Sequence, residues 1–117
     1  MSYYLSELEN HGGFAVIRAG GELDLYAAPE LRAAVEQALE EDCSQLVIDL
    51  AEVTFIDSTS IGVLMIGHRA LSRSGGALQI VALNRNVVTT LHIVGLDREL
   101  HIRPSLDEAL HTVASPA

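Results

Sequence analysis

The chain contains no lysine, no tryptophan, a single cysteine and no long hydrophobic run. Positive charge therefore comes from seven arginines alone, set against sixteen acids, for a net charge of −9. So acidic a chain excludes nucleic acid as a ligand, because phosphates demand a basic footprint. Anionic membrane surfaces are excluded on the same ground. The lone cysteine, Cys43, rules out a disulfide framework within the chain and a zinc site built from several thiolates. The five histidines show no HExxH or similarly tight metal spacing. No metal and no cofactor is expected. The longest apolar run, Ile61 to Gly67, falls far short of the ~20 residues that span a bilayer. The opening MSYYLSELEN has no basic region followed by an apolar stretch, so no signal peptide is read and the expected location is the cytoplasm.

What is present is a globular composition. The 117 residues are 49% hydrophobic and 20% charged, which suits one domain able to bury its own core. The reading is a single domain over 1–117, with an ordered core of about 3–112. The charge is uneven. Residues 22–52 hold nine acids against Arg32 alone, whereas residues 53–117 balance five acids with five arginines. An acidic front half keeps a protein soluble and also suits a basic protein surface.

The element pattern is alternating. Phe14–Ala19 reads as a strand, preceded by a weaker one over Tyr3–Leu8, with His11-Gly-Gly13 as the turn. Pro29 suits the first position of a helix running to about Glu41, whose Leu31, Ala34, Val35, Ala38 and Leu39 form one apolar stripe. Leu46–Leu50 and Ala77–Leu83 are nearly continuous apolar strands, suited to burial on both faces. Val53–Ile56 leads into Asp57, and a helix from there to about Ser74 stops at Gly75-Gly76. Asn84 caps a short helix over Val87–Ile93. Leu100–Ile102 is a last short strand, and Ser105-Leu-Asp-Glu108 is a capping box for a C-terminal helix. This order predicts an α/β domain with a mixed sheet of four to five strands and about four helices.

The informative stretch is Asp57-Ser58-Thr59-Ser60-Ile61-Gly62. A strand ends, an acid follows, and three hydroxyls open a helix. Helix N-termini carry free N–H groups and partial positive charge. One hydroxyl or carboxylate there is an ordinary cap, but three hydroxyls in a row exceed what capping needs. A phosphate on one of them would meet the favourable end of the helix dipole while Asp57 repelled it. Plain capping and a phosphorylatable surface both fit these residues.

Two blocks carry a family resemblance. Gly21-Glu22-Leu23-Asp24-Leu25-Tyr26-Ala27-Ala28-Pro29-Glu30-Leu31 resembles the first fingerprint of the STAS domain. Leu46–Leu50, then Val53-Thr54-Phe55-Ile56-Asp57-Ser58-Thr59 and Ile61-Gly62, resembles the second. A free-standing STAS-like domain of this length is most similar to the bacterial anti-sigma factor antagonists. The resemblance implies partner switching. The unmodified antagonist binds an anti-sigma factor that is also a serine kinase. The kinase phosphorylates the serine after the aspartate, here Ser58, with Thr59 the less favoured acceptor. The phosphoprotein is released, and a serine phosphatase resets it. Partner contacts implied by the resemblance fall on Asp24, Asp57, Ser58, Thr59, Ser60, Ile61 and Gly62. A monomer is implied for the free protein. Two positions depart from the family pattern. Glycine is usual where Ser60 stands, so its added Cβ and hydroxyl are expected to alter docking. Threonine or serine is usual where Ala27 stands, which removes a polar group from the switch loop.

Catalysis is not expected. Ser58 lacks the G-x-S-x-G elbow, and His68 lies about 15 Å along the same expected helix, beyond hydrogen-bond reach. His68 reads as a helix-edge residue. Asp24 also fits a turn aspartate bonded to its own backbone. Cys43, at a helix end among acids, reads as inert. The alternative from another class is an accessory STAS subunit holding the ATPase of a transport or lipid-trafficking assembly, with no phosphorylation.

Overall fold

Alternation along the central strands sets the layering. In the computed structural model, which describes residues 2–114, Ala15 and Ile17 of β3 (Phe14–Leu23) and Leu46 and Ile48 of β4 (Gln45–Ile56) join the main core. The residues between them, Val16 and Val47, enter a smaller core on the other face. Such period-two burial on both faces demands cover on both sides. The cover of the main core comes from α1 (Ala28–Glu40), α2 (Ser58–Arg73) and α3 (Arg85–Ile93), through Leu31, Leu64 and Leu91. α5 (Leu106–Ala114) covers the opposite face, with Ala109 against Val16, Val47 and Val81.

The sheet is mixed, as the alternating pattern predicts. Its order is β1 (Tyr3–Leu5), β3, β4, β5 (Ala77–Val81), β6 (His101–Arg103), and β2 (Glu9–Asn10) also pairs with β3. β3 to β6 run parallel, while β1 and β2 lie antiparallel to β3. Six strands and five helices stand among the described residues, one or more of each beyond the expected count. The extra strand arises because the N-terminal strand is broken at Ser6–Leu8. The extra helix, α4 (Leu96–Glu99), is one turn, too short for any periodicity to show.

β4 is a single strand, where the sequence reads as two apolar segments. Its pairing with β3 slips between Arg18 and Gly20 and again between Gly21 and Glu22. At the first irregularity Asp49 Oδ1 accepts the Ala51 N–H at 2.9 Å. Each added residue changes which side chains face inward. Leu50, Val53 and Ile56 therefore all reach the main core despite breaking strict alternation. The bulges carry the strand end forward and deliver Asp57 and Ser58 to the sheet's carboxyl edge.

Caps define the helix starts. Asn84 Oδ1 accepts from Asn86 and Val87 N–H at 2.9 and 3.3 Å, and Ser105 Oγ accepts from Glu108 N–H at 3.2 Å. Both follow the expectation for short polar residues ahead of an apolar period. No helix among the described residues is long and apolar enough to cross a membrane.

Candidate functional site at the carboxyl edge of the sheet

Three parallel strands end side by side, and their following loops form one edge, the usual location of sites in parallel α/β sheets. The Asp57 N–H donates to the Leu23 carbonyl at 3.1 Å, tying the ends of β3 and β4 together. Asp57 then caps α2. One of its oxygens, Oδ1, accepts from the Thr59 N–H at 3.1 Å, the Ser60 N–H at 3.1 Å and the Thr59 hydroxyl at 2.6 Å. A carboxylate taking backbone donors at the positive end of a helix is a strong cap. Asp57→Ala should therefore cost about 1 to 2 kcal/mol of stability, read as a lower urea midpoint with an unchanged slope. Asp57→Asn, which keeps the acceptor, should retain most of it.

The three hydroxyls at the helix start sit in three different environments. Ser58 is exposed, and no hydrogen bond among the described residues engages its hydroxyl. The Thr59 hydroxyl is committed to Asp57 at 2.6 Å. Ser60 is fully buried at 0% exposure, its hydroxyl directed to the Asp24 carbonyl at 3.4 Å. Ile61 is buried as well, at 8%. The expectation that Ser60 meets a partner is corrected: it packs under the β3–α1 loop, and any effect on docking must pass through that loop. Ile61 likewise serves the core beneath the edge. Gly62 is exposed, with open space where a Cβ would stand.

Asp24 shapes the neighbouring loop. Its Oδ1 accepts from Tyr26 and Ala27 N–H at 3.0 and 3.3 Å, and its carbonyl accepts from Ala28 N–H at 3.1 Å. This is the turn aspartate that the sequence allowed. Ala27 precedes α1 with no side-chain cap and is completely buried. A hydroxyl there would face the core, and the first helical N–H, that of Ala28, is taken instead by the Asp24 carbonyl. The missing polar group at Ala27 thus leaves the exposed edge unchanged.

Sequence reasoning passed over the apolar part of this edge. Tyr26 is 78% exposed, Leu25 60%, Leu83 58% and Phe55 45%. They follow or end β3, β4 and β5, so they border the Ser58 loop. Large apolar side chains gathered at one exposed edge mark an interaction surface. The signal in the sequence was Leu25-Tyr26 directly after a turn aspartate, where polar residues are the norm.

Cys43 is buried and free, and burial, aided by Glu41, pushes its thiol above the ordinary range, as an inert cysteine requires. His68 lies half-buried on α2. Among the described residues no group of three or more His, Cys, Asp or Glu side chains is placed to hold a metal ion.

The family model for the STAS domain matches residues 6–109. The chain belongs to the STAS domain family. It is 31% identical over 103 residues to the anti-sigma-F factor antagonist RsfB of Mycobacterium tuberculosis, covering 86% of this chain and 82% of that protein. It is 29% identical over 91 residues to an anti-sigma F factor antagonist of Paenibacillus polymyxa, covering 77% and 78% of the two chains. The crystal structure of an anti-sigma factor antagonist from Mycobacterium paratuberculosis superposes with a TM-score of 0.88 at 30% identity, covering 97% of this chain and 96% of that one. The STAS fold read from the two sequence blocks is the fold observed.

Proposed function

We propose that this STAS domain is an anti-sigma factor antagonist switched by phosphorylation of Ser58. In the unmodified state it binds a serine-kinase anti-sigma factor through the edge formed by Asp24–Tyr26, Phe55, Asp57–Thr59 and Gly62. The kinase then transfers the terminal phosphoryl group of its nucleoside triphosphate to the Ser58 oxygen, releasing the diphosphate and the hydroxyl proton; the complex separates, and a serine phosphatase hydrolyses the phosphoester to restore the free hydroxyl. The observation that carries this reading is the contrast among three adjacent hydroxyls. Ser58 alone is both exposed and unengaged, while Thr59 is held by Asp57 and Ser60 is buried. The similarity to antagonists over most of the chain supports the same role. The protein acts as a binding surface and phosphoryl acceptor, and contributes no chemistry of its own beyond presenting the hydroxyl.

Apolar anchors beside the switch supply affinity. Exposed tyrosine at an interface centre is a common energetic hot spot. Tyr26→Ala should weaken binding to the anti-sigma factor by about tenfold or more, measured by titration calorimetry. Folding should be untouched, because Tyr26 is 78% exposed in the free protein. Full affinity in Tyr26→Ala together with Leu25→Ser would remove this edge from the interface.

A further inference from the structure

A cleft sharing no lining residue with the Ser58 edge lies between the broken N-terminal strand and α1. Its volume is about 290 Å3. It opens because the edge strand leaves its register. Leu5 pairs with Ala19, but Glu9 pairs with Val16, so Ser6–Leu8 bulges away opposite Ile17 and Arg18. The bulge is held in place by Ser6 N–H to the Arg18 carbonyl at 2.8 Å and Arg18 N–H to Ser6 Oγ at 3.0 Å. Leu5, Leu8 and Ala34, partly buried against the main core, form its apolar floor, and Ala33, Ser6 and Gln37 line it beside them.

Charge narrows the choice of occupant. The stretch Tyr3–Asn10 and α1 together contain five carboxylates and one guanidinium. That guanidinium, Arg32, pairs with Glu36 at 3.6 Å, and Glu9 pairs with Arg18 at 2.8 Å. Glu7 and Glu30, both lining the cleft, have no cationic partner among the described residues, and Glu30 accepts only a 3.5 Å bond from the Tyr3 hydroxyl. A cleft that sets Leu5, Leu8 and Ala34 beside unneutralised carboxylates repels nucleic acid and also a second copy of a chain with net charge −9.

We propose that this cleft is a docking groove for a basic, amphipathic segment of a partner protein, which seats an apolar side chain on Leu5, Leu8 and Ala34 and sets an arginine or lysine against Glu7 and Glu30. The groove is independent of the phosphorylation switch, so an antagonist bound at its Ser58 edge can hold a second protein here.

The test is a titration of the isotope-labelled full chain with a short synthetic peptide carrying arginines on either side of a leucine pair, followed by amide shifts in NMR and by fluorescence anisotropy. Saturable shifts confined to Leu5–Leu8 and Glu30–Ala34 are expected. Ala33→Arg, a change at an exposed helical position, should lower peptide affinity about tenfold or more while leaving anti-sigma factor binding unchanged. Glu7→Gln combined with Glu30→Gln should weaken binding and flatten its salt dependence. The proposal is overturned if no shift saturates, if shifts spread over all acidic faces or collect at residues 24–27 and 57–59, or if Ala33→Arg binds the peptide as well as the wild type. Because the Ser58 edge is read separately, its failure and that of the groove are distinguishable.

Discussion

Ser58→Glu is expected to weaken binding to the anti-sigma factor about thirtyfold or more, while Ser58→Ala binds and can no longer be released. A phosphate at this position adds between about one and a half and two negative charges at neutral pH. Glutamate mimics part of that charge. Both would place it beside the carboxylate of Asp57, at a surface that also presents the apolar Leu25, Tyr26 and Phe55. Desolvating an unpaired charge in such an interface costs about 2 kcal/mol or more, which is about thirtyfold in affinity. The effect belongs to the interface and not to the fold. Ser58 is exposed and its hydroxyl makes no hydrogen bond among the described residues, and an acid at the first turn of a helix is favourable. The two variants should therefore unfold within about 0.5 kcal/mol of the wild type, while differing sharply in titration calorimetry. Equal binding by wild type and Ser58→Glu, both folded, would contradict the switch.

The largest loss of stability from a small change is expected at Gly76. α2 ends at Arg73 and the turn after it holds Gly75-Gly76, two glycines needed for different reasons. Gly75 adopts φ +82°, with no atom within 4 Å of where a Cβ would stand. Gly76 has an ordinary backbone, but a Cβ there would collide with the Ser44 carbonyl oxygen. That carbonyl cannot yield, because it accepts the Ala77 N–H at 2.9 Å where β4 and β5 begin to pair. Gly76→Ala must push β5 away from β4 at its first rung and should cost about 3 kcal/mol. Gly75→Ala meets only the intrinsic strain of the left-handed region, about 1 kcal/mol. Chemical denaturation of the pair separates steric collision from backbone strain, and the reverse order would mean that the Ser44–Gly76 approach is soft.

These two glycines show what a sequence does and does not carry. Gly-Gly after a helical period marks a stop from composition alone, but which glycine faces a neighbouring strand depends on a contact across thirty-odd positions of chain. The same division runs through the site. Asp57 as a cap and Ser58 as the first helical residue were legible, because capping is local and the acid stands directly before the hydroxyls. The separate fates of Thr59 and Ser60 were not. Thr59 turns its hydroxyl back to Asp57, and Ser60 lies beneath a loop contributed by Asp24, a neighbour created only by parallel pairing of β3 with β4. The departures at Ser60 and Ala27 looked like changes to the docking surface in one dimension. Both are buried in three, so they alter support for the edge and leave its exposed face intact. The bulges of β4 were hidden for a related reason: a bulge is a mismatch between two strands, and neither strand alone records it. The layering was readable because Leu46-Val-Ile-Asp-Leu50 and Ala77-Leu-Gln-Ile-Val81 are nearly continuous apolar runs, suited to cover on both faces, whereas the strand order was not.

The measurement that tests the central claim most directly is intact mass with phosphopeptide mapping of this protein isolated from its own cells, wild type beside Ser58→Ala. The account predicts a population of wild-type protein heavier by one phosphate, with the modification on Ser58 and none on Thr59 or Ser60, and no such population in Ser58→Ala. Wild-type protein that carries no phosphate across growth and stress conditions, or a phosphate that persists in Ser58→Ala, would contradict it.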